Sequence, residues 1–452
     1  MKTKLLLAGL AGIFFASSCK KSSDTTPAPP PTDTTTTVSL ADKQKDTVLL
    51  YSRDIYLWYL QIPSTFNARS YSDPNAIMEA IRAYSNEPGF SKPVDRWSFG
   101  IKQTDWNNLS SGVSQDFGFS VFFPAEGDLR VKYVERESPA GLAGLRRGWR
   151  ITKINGNTNI TTSNADFIVN AVFYSSSTSF TFQKPDGSSV DLTLTAATYQ
   201  EHPIFLDTVY NGTNGKIGYM VFNSFLGDTT EVYNEFNRIF TNFSSQSVSD
   251  VIIDLRYNGG GYVSVQQKLA NYLANTTANG QLMMAEQFND KYSSYNETTN
   301  FNKLGSLNLS RIFFIVSNNT ASASELLINN LKPFLQEKLV GPNNTYGKPV
   351  GFFPIPVGDW YIFPVSFRST NNQGQGNYFN GLAIDNQVAD GLDKDWGDTD
   401  EACLNSVLHY INTGSFRVAG RQAVVEDARV KAANAILSAP AFKGTVGTGI
   451  KF

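Results

Sequence analysis

Three short apolar runs, at residues 217–222, 251–255 and 312–316, limit most tightly what this chain can fold into. Runs of this length without polar alternation suit strands buried on both faces. The second leads into a glycine-rich turn and the third into a polar one, and a helical pattern follows each. Strands alternating with helices over residues 199–414 predict a layered α/β domain. In such a layout the two turns are the natural seats of chemistry. A strand end fixes the backbone there, while a helix N-terminus offers unpaired N–H groups and positive potential.

Two other textures precede this domain. Over residues 41–112 the pattern is helical: Val48, Tyr51, Ile55, Trp58 and Ile62 recur at steps of three and four, which predicts one buried face. Asp73 as N-cap and Pro74 at the first helical position predict a second helix, with Ile77 and Ile81 one turn apart. Residues 113–198 read as short strands with two hairpin signals, Asn155-Gly156 and Asp186-Gly187, interrupted by a helix over residues 164–174. Residues 415–452 hold a helical stretch and a glycine-rich end to which the sequence assigns no role.

The N-terminus reads as an address. Lys2 and Lys4 precede an apolar run over residues 5–15, too short to span a bilayer, and then small residues and Cys19. The stretch Phe15-Ala16-Ser17-Ser18-Cys19 resembles a bacterial lipoprotein signal, which implies removal of residues 1–18 and a lipid on Cys19. Residues 19–40, rich in Thr, Pro and Ser, predict an extended tether. The expected location is the cell envelope, outside the cytoplasm, with a lipid anchor to the membrane.

Composition removes several function classes. Of 452 residues, 41% are hydrophobic and 17% charged, which suits roughly two to three folded domains. Lys plus Arg number 38 against 40 acidic residues, so no basic surplus is available for nucleic acid. The only cysteines, Cys19 and Cys403, and the only histidines, His202 and His409, match no metal spacing and leave a hydrolase few histidines to use as its base.

The first candidate turn is Asp254-Leu255-Arg256-Tyr257-Asn258-Gly259-Gly260-Gly261. Consecutive glycines let a backbone approach closely and turn its N–H groups inward, as an oxyanion site requires; a plain flexible turn is the alternative. The second is Ser317-Asn318-Asn319-Thr320-Ala321-Ser322-Ala323-Ser324-Glu325. Ser322 with Glu325 forms a capping box, and a serine at a helix start is also well placed as a nucleophile, since the same N–H groups favour an anion. Its base is sought in Lys348, in the loop after the apolar pair Leu339-Val340; a lysine acts as base only when neutral, so burial must lower its pKa. A solvated loop lysine is the alternative. The stretch Gly341 to Lys348 departs from the phosphate-loop pattern in spacing and in Pro349, so nucleotide use is not expected. The acidic residues Asp393, Asp395, Asp398, Asp400 and Glu401 do not fit an EF-hand, and no metal or other cofactor is expected.

Two resemblances gather these pieces. Phe117-Gly118-Phe119, Ser138-Pro139-Ala140, Gly144-Leu145, Gly148 and Ile154-Asn155-Gly156 resemble a PDZ domain, which implies peptide binding by strand addition at Phe117, Gly118 and Phe119. Behind it, Asp254 to Gly261, Ala321 to Glu325 and Gly347-Lys348 resemble the C-terminal processing peptidases, or tail-specific proteases. That resemblance implies a multidomain α/β protein: a helical N-terminal region, a PDZ-like β-rich domain and a crotonase/Clp-protease-like peptidase domain. It implies a Ser-Lys dyad of Ser322 and Lys348, orientation by Glu325, an oxyanion hole from Gly259, Gly260 and Ala323, and polypeptide substrates with apolar C-termini. Phe352 stands where some relatives carry Gln. A peptide-binding protein with a silent dyad and a Ser-Lys esterase or amidase are the other readings.

Overall fold

Apolar side chains on both faces of the central sheet explain why its strands read as unbroken apolar runs. In the computed structural model, which describes residues 38–417, 427–438 and 441–447, six strands pair in the order Asn386–Gln387, Gln336–Gly341, Arg311–Ile315, Val248–Asp254, Gly215–Phe222 and Ile204–Gly212. All neighbours are parallel except the last pair, which is antiparallel. Alternate residues serve opposite faces. Met220, Ile253 and Phe314 pack under helices Thr229–Ser245, Val263–Leu273 and Ala323–Leu331, while Tyr219, Ile252 and Phe313 meet Leu404 and Val407 of helix Ala402–Thr413. The three expected buried runs are therefore strands of one layered sheet. Cys19, the signal and nearly all of the tether lie outside the described residues. No helix among the described residues is long and apolar enough to cross a membrane.

The first helix spans Leu40–Ile55, shorter than the apolar stripe that announced it. Trp58 and Ile62 are buried as expected but lie past its end, because tertiary bonds take over the backbone. Leu57 N–H donates to the Val365 carbonyl, and the Asn289 amide caps the carbonyls of Asp54 and Tyr56. Asp73 caps helix Pro74–Ile81 by accepting from the Ala76 N–H at 2.9 Å. These helices share a core with Val350, Phe352, Ile355 and Phe363, and strand Phe99–Lys102 pairs with Trp360–Phe363. The N-terminal region is thus built into the wall beside the residues that follow Lys348.

A second, antiparallel sheet runs Phe119–Ala125, Asp128–Val134, Arg150–Ile154, Ser177–Gln183 and Ser189–Thr195, with Phe119–Ala125 at its edge. The Asp186-Gly187 hairpin is present between its last two strands. The Asn155-Gly156 turn forms too, but its hairpin reduces to a single bridge between Ile154 and Asn157. The polar residues that follow offer no apolar alternation to extend a strand, and Arg150–Ile154 pairs with Ser177–Gln183 instead.

One ionic cluster ties this sheet to the glycine turn. Arg256, 1% exposed, bonds Asp254, Asp390 and Glu401 at 2.7–2.9 Å, and Arg147 from the second sheet's loop shares Asp390 at 2.8 Å. Burial raises the Glu401 carboxyl, but Arg256 overrides it and holds the group at about 2. Glu401 therefore contributes stability above its unfolded pKa, which is lost as pH falls from about 4 towards 2. Replacing Arg256 with Met would leave three buried carboxylates short of a cation. We expect a loss of about 3–5 kcal/mol in denaturant unfolding at pH 7, shrinking below pH 4.

Candidate active site

The glycine turn and the serine turn meet because their parallel strands, Val248–Asp254 and Arg311–Ile315, end at the same edge of the sheet. Ala321 N–H donates to the Asn258 carbonyl at 3.0 Å, and the Ser324 hydroxyl to that same oxygen at 3.0 Å. Ser317 reaches the Arg256 carbonyl. Ser322 thereby sits directly beside Gly260, fully buried, at φ 62 and ψ −111. A left-handed φ with this ψ costs a serine roughly 1–3 kcal/mol and persists only where its surroundings impose it.

Glu325 is what imposes it. Its carboxylate, fully buried, accepts four hydrogen bonds: Oε2 from the N–H groups of Ser322 and Lys348, both at 2.8 Å, and Oε1 from the Gly347 N–H and the Thr345 hydroxyl, both at 2.6 Å. Burial raises the carboxyl above its usual range, opposed by these four donors. The expected capping box is present. Its carboxylate also fastens the serine turn to the loop carrying Lys348.

Lys348 is 1% exposed, and its Nζ lies 3.5 Å from the centre of the Phe352 ring with no hydrogen-bond partner among the described residues. Burial pushes its pKa well below the usual lysine range, with Asp95 and Glu325 opposing the shift. Ser322 Oγ is engaged elsewhere, with the hydroxyl of Thr445. The site residues are gathered, but Ser322 and Lys348 do not hydrogen-bond each other in this arrangement.

Of the three oxyanion candidates, Gly260 turns its N–H onto Asn258 Oδ1 at 2.9 Å. The N–H groups of Gly259 and Ala323 have no partner among the described residues. Phe117 and Phe119 are buried in the core of the second sheet, and the Gly118 N–H donates to Asp116 at 2.7 Å, so that amide is held by the chain's own carboxylate. His202 lies between Glu137 and Glu231, away from Ser322. Glu401 caps helix Ala402–Thr413 and faces Arg256.

A family model described as "Peptidase family S41" matches residues 216–388, and one described as "Peptidase S41 N-terminal domain" matches residues 43–99. The chain belongs to peptidase family S41. Among curated relatives, the "Probable CtpA-like serine protease" of Staphylococcus aureus is 26% identical over 259 residues, 57% of this chain and 49% of that protein. Its Staphylococcus saprophyticus counterpart is 22% identical over 293 residues, 64% and 56% of the two chains. The S41 chain thus spans about half the length of the first of these relatives. A crystallised Bacteroides fragilis protein assigned to the S41 proteases shares the fold, with a TM-score of 0.67, 24% identity, and coverage of 82% of this chain and 97% of that one.

Sequence reasoning missed Thr345 and Thr445 in this S41 site. Thr345 carries no signal beyond a short hydroxyl beside Tyr346-Gly347. Thr445 has a faint one, since Thr445-Val446 is a β-branched pair between glycines, in the pattern of a strand that must pass close to another backbone. Glu325→Gln tests the clamp. The Gln amide would face two donors with a donor of its own, so we expect about 2–4 kcal/mol less stability in urea unfolding, from two buried donors left unpaired.

Proposed function

We propose that this S41 chain is a cell-envelope serine endopeptidase that cleaves polypeptides recognised through their C-terminal tails. Ser322 attacks the peptide carbonyl and Lys348 takes its proton. The Gly259 and Ala323 N–H groups receive the oxyanion, and water releases the acyl-enzyme. The observation that carries this reading is Lys348: a buried ammonium without a partner is too costly to keep, so the amine is neutral and able to act as a base. Glu325 supports it, because one carboxylate oxygen fixes the backbone of both dyad members. On this reading Lys348 Nζ turns from Phe352 to Ser322 Oγ once Thr445 leaves.

The second sheet is read as a PDZ-like module whose edge strand, Phe119–Ala125, would take a peptide tail as an added strand once helix Ala428–Leu437, whose Asn434 bonds the Phe123 backbone, gives way. A lipid on Cys19 and the tether of residues 19–40 would hold the protein at the membrane surface. A silent peptide-binding protein is the competing reading, and the Ser322–Thr445 contact favours it to the extent that it keeps the dyad apart.

Cleavage of a loosely folded protein with an apolar C-terminal tail separates the two. Wild type should cut it without added metal or nucleotide, while Ser322→Ala and Lys348→Met, both folded by circular dichroism, should lose at least about 1000-fold in rate, as befits residues that act as a unit. Binding without cleavage by wild type would establish the silent reading. Lys348→Met should also raise the thermal midpoint by roughly 2 °C, since it replaces a buried amine without a hydrogen-bond partner by an apolar side chain of similar length.

The pH profile provides a separate check. Only the neutral amine is a base, so kcat/KM should fall as pH drops through the depressed Lys348 pKa and be near its plateau well below pH 10. A rise only near about 10.4, where a free lysine titrates, would remove Lys348 from the mechanism.

A further inference from the structure

The site is filled by residues 442–447 of the chain itself. Strand Gly444–Val446 lies parallel to Gly260–Tyr262, with Gly444, Thr445 and Val446 opposite Gly260, Gly261 and Tyr262. Gly444 N–H donates to the Gly259 carbonyl at 2.9 Å. On the other side, Phe352 N–H donates to the Thr445 carbonyl at 3.0 Å, and Gly447 N–H to the Phe352 carbonyl at 2.9 Å. Backbone groups on both flanks of the cleft are thus satisfied by one extended segment, the manner in which a strand is added to a sheet edge. The glycine turn is gauged for it, because a Cβ at Gly259 would collide with the Phe442 carbonyl oxygen and one at Gly260 would lie 2.5 Å from the Gly444 oxygen.

Side chains seat the same segment. The Phe442 ring lies among Phe99, Trp106 and Phe352, at 6.3, 5.7 and 6.4 Å between ring centres. Lys443 Nζ stands 4.3 Å from the centre of the Tyr346 ring. Three residues after Phe442, the Thr445 hydroxyl meets Ser322 Oγ. Just upstream, helix Ala428–Leu437 covers the edge of the second sheet. Val430, Ala433 and Leu437 enter its core, while Asn434 accepts from the Phe123 N–H at 2.8 Å and donates to the Phe123 carbonyl at 2.9 Å. One stretch of chain therefore occupies both the edge strand and the serine cleft.

We propose that residues 442–447 trace the track of a polypeptide substrate, that the ring pocket around Phe442 selects an aromatic side chain three positions ahead of the residue seated at Ser322, and that the chain's own tail competes for this track. The inference rests on the endopeptidase reading for its use of the word substrate, but the occupancy itself is a matter of binding. Substrates are then extended segments with a small residue midway, as Gly444 is, and an aromatic anchor before it.

The test measures binding apart from cleavage. A fluorescein-labelled peptide Ala-Phe-Lys-Gly-Thr-Val-Gly, the sequence of residues 441–447, is titrated by fluorescence polarisation into the full chain, the full-length Phe442→Ala variant and a variant ending at Ser438. Circular dichroism confirms that each is folded. We expect at least tenfold tighter binding to both variants than to the full chain, and at least tenfold weaker binding to the shortened variant when the peptide carries Ala in place of its Phe. Equal binding by the full chain and Phe442→Ala would overturn the competition. Equal binding of the Phe and Ala peptides would overturn the aromatic pocket. Binding as expected with no cleavage of any substrate by any form would sink the endopeptidase reading and leave this one standing.

Discussion

The Glu325 carboxylate is the joint on which the site depends. A fully buried carboxylate needs its lone pairs filled, and here two turns and a side-chain hydroxyl fill them. The requirement runs both ways. Without the carboxylate, the Ser322, Gly347 and Lys348 amides would be buried donors without acceptors, and nothing would hold Ser322 at its left-handed φ. One group thus sets the serine's backbone, the lysine's backbone and the distance between their turns, and the central sheet sets where Glu325 stands.

Lys348 shows the complementary strategy. Glu325 is buried with every acceptor site used, whereas the Lys348 amine is buried with none of its donors used. The first arrangement makes a rigid support; the second disfavours the ammonium and leaves a neutral amine with its lone pair free, the form that the proposed base role requires. The Phe352 ring beneath it keeps water away at the position where some relatives of the sequence pattern carry Gln.

The parts of this protein legible in its sequence were those governed by local rules. Apolar runs located the central strands, Asp73-Pro74 located a helix start, and the spacing of Ser322 and Glu325 located the capping box; each follows from contacts within a few residues. Trp58 and Ile62 mark the limit of such reading, since their stripe was right about burial and wrong about helix, with Val365 and Asn289 deciding where the helix stops. The Asn155-Gly156 hairpin failed for the same reason, because a turn cannot supply the partner strand. The state of the site was not legible at all. That Gly260 points its amide at Asn258, that Gly118 gives its amide to Asp116, and that Thr445 meets Ser322 depend on segments brought together only by the fold.

A strand joined covalently to the cleft it fills is a ligand that never dilutes. Its local concentration is fixed by its covalent attachment only a few residues after helix Ala428–Leu437, on the order of millimolar for a short tether, whatever the amount of protein present. A modest intrinsic fit is then enough to keep the cleft occupied. An incoming chain faces a threshold expressed in molarity rather than in affinity alone, and a polypeptide held first at a neighbouring surface, so that its own local concentration rises, crosses that threshold far more readily than the same segment free in solution.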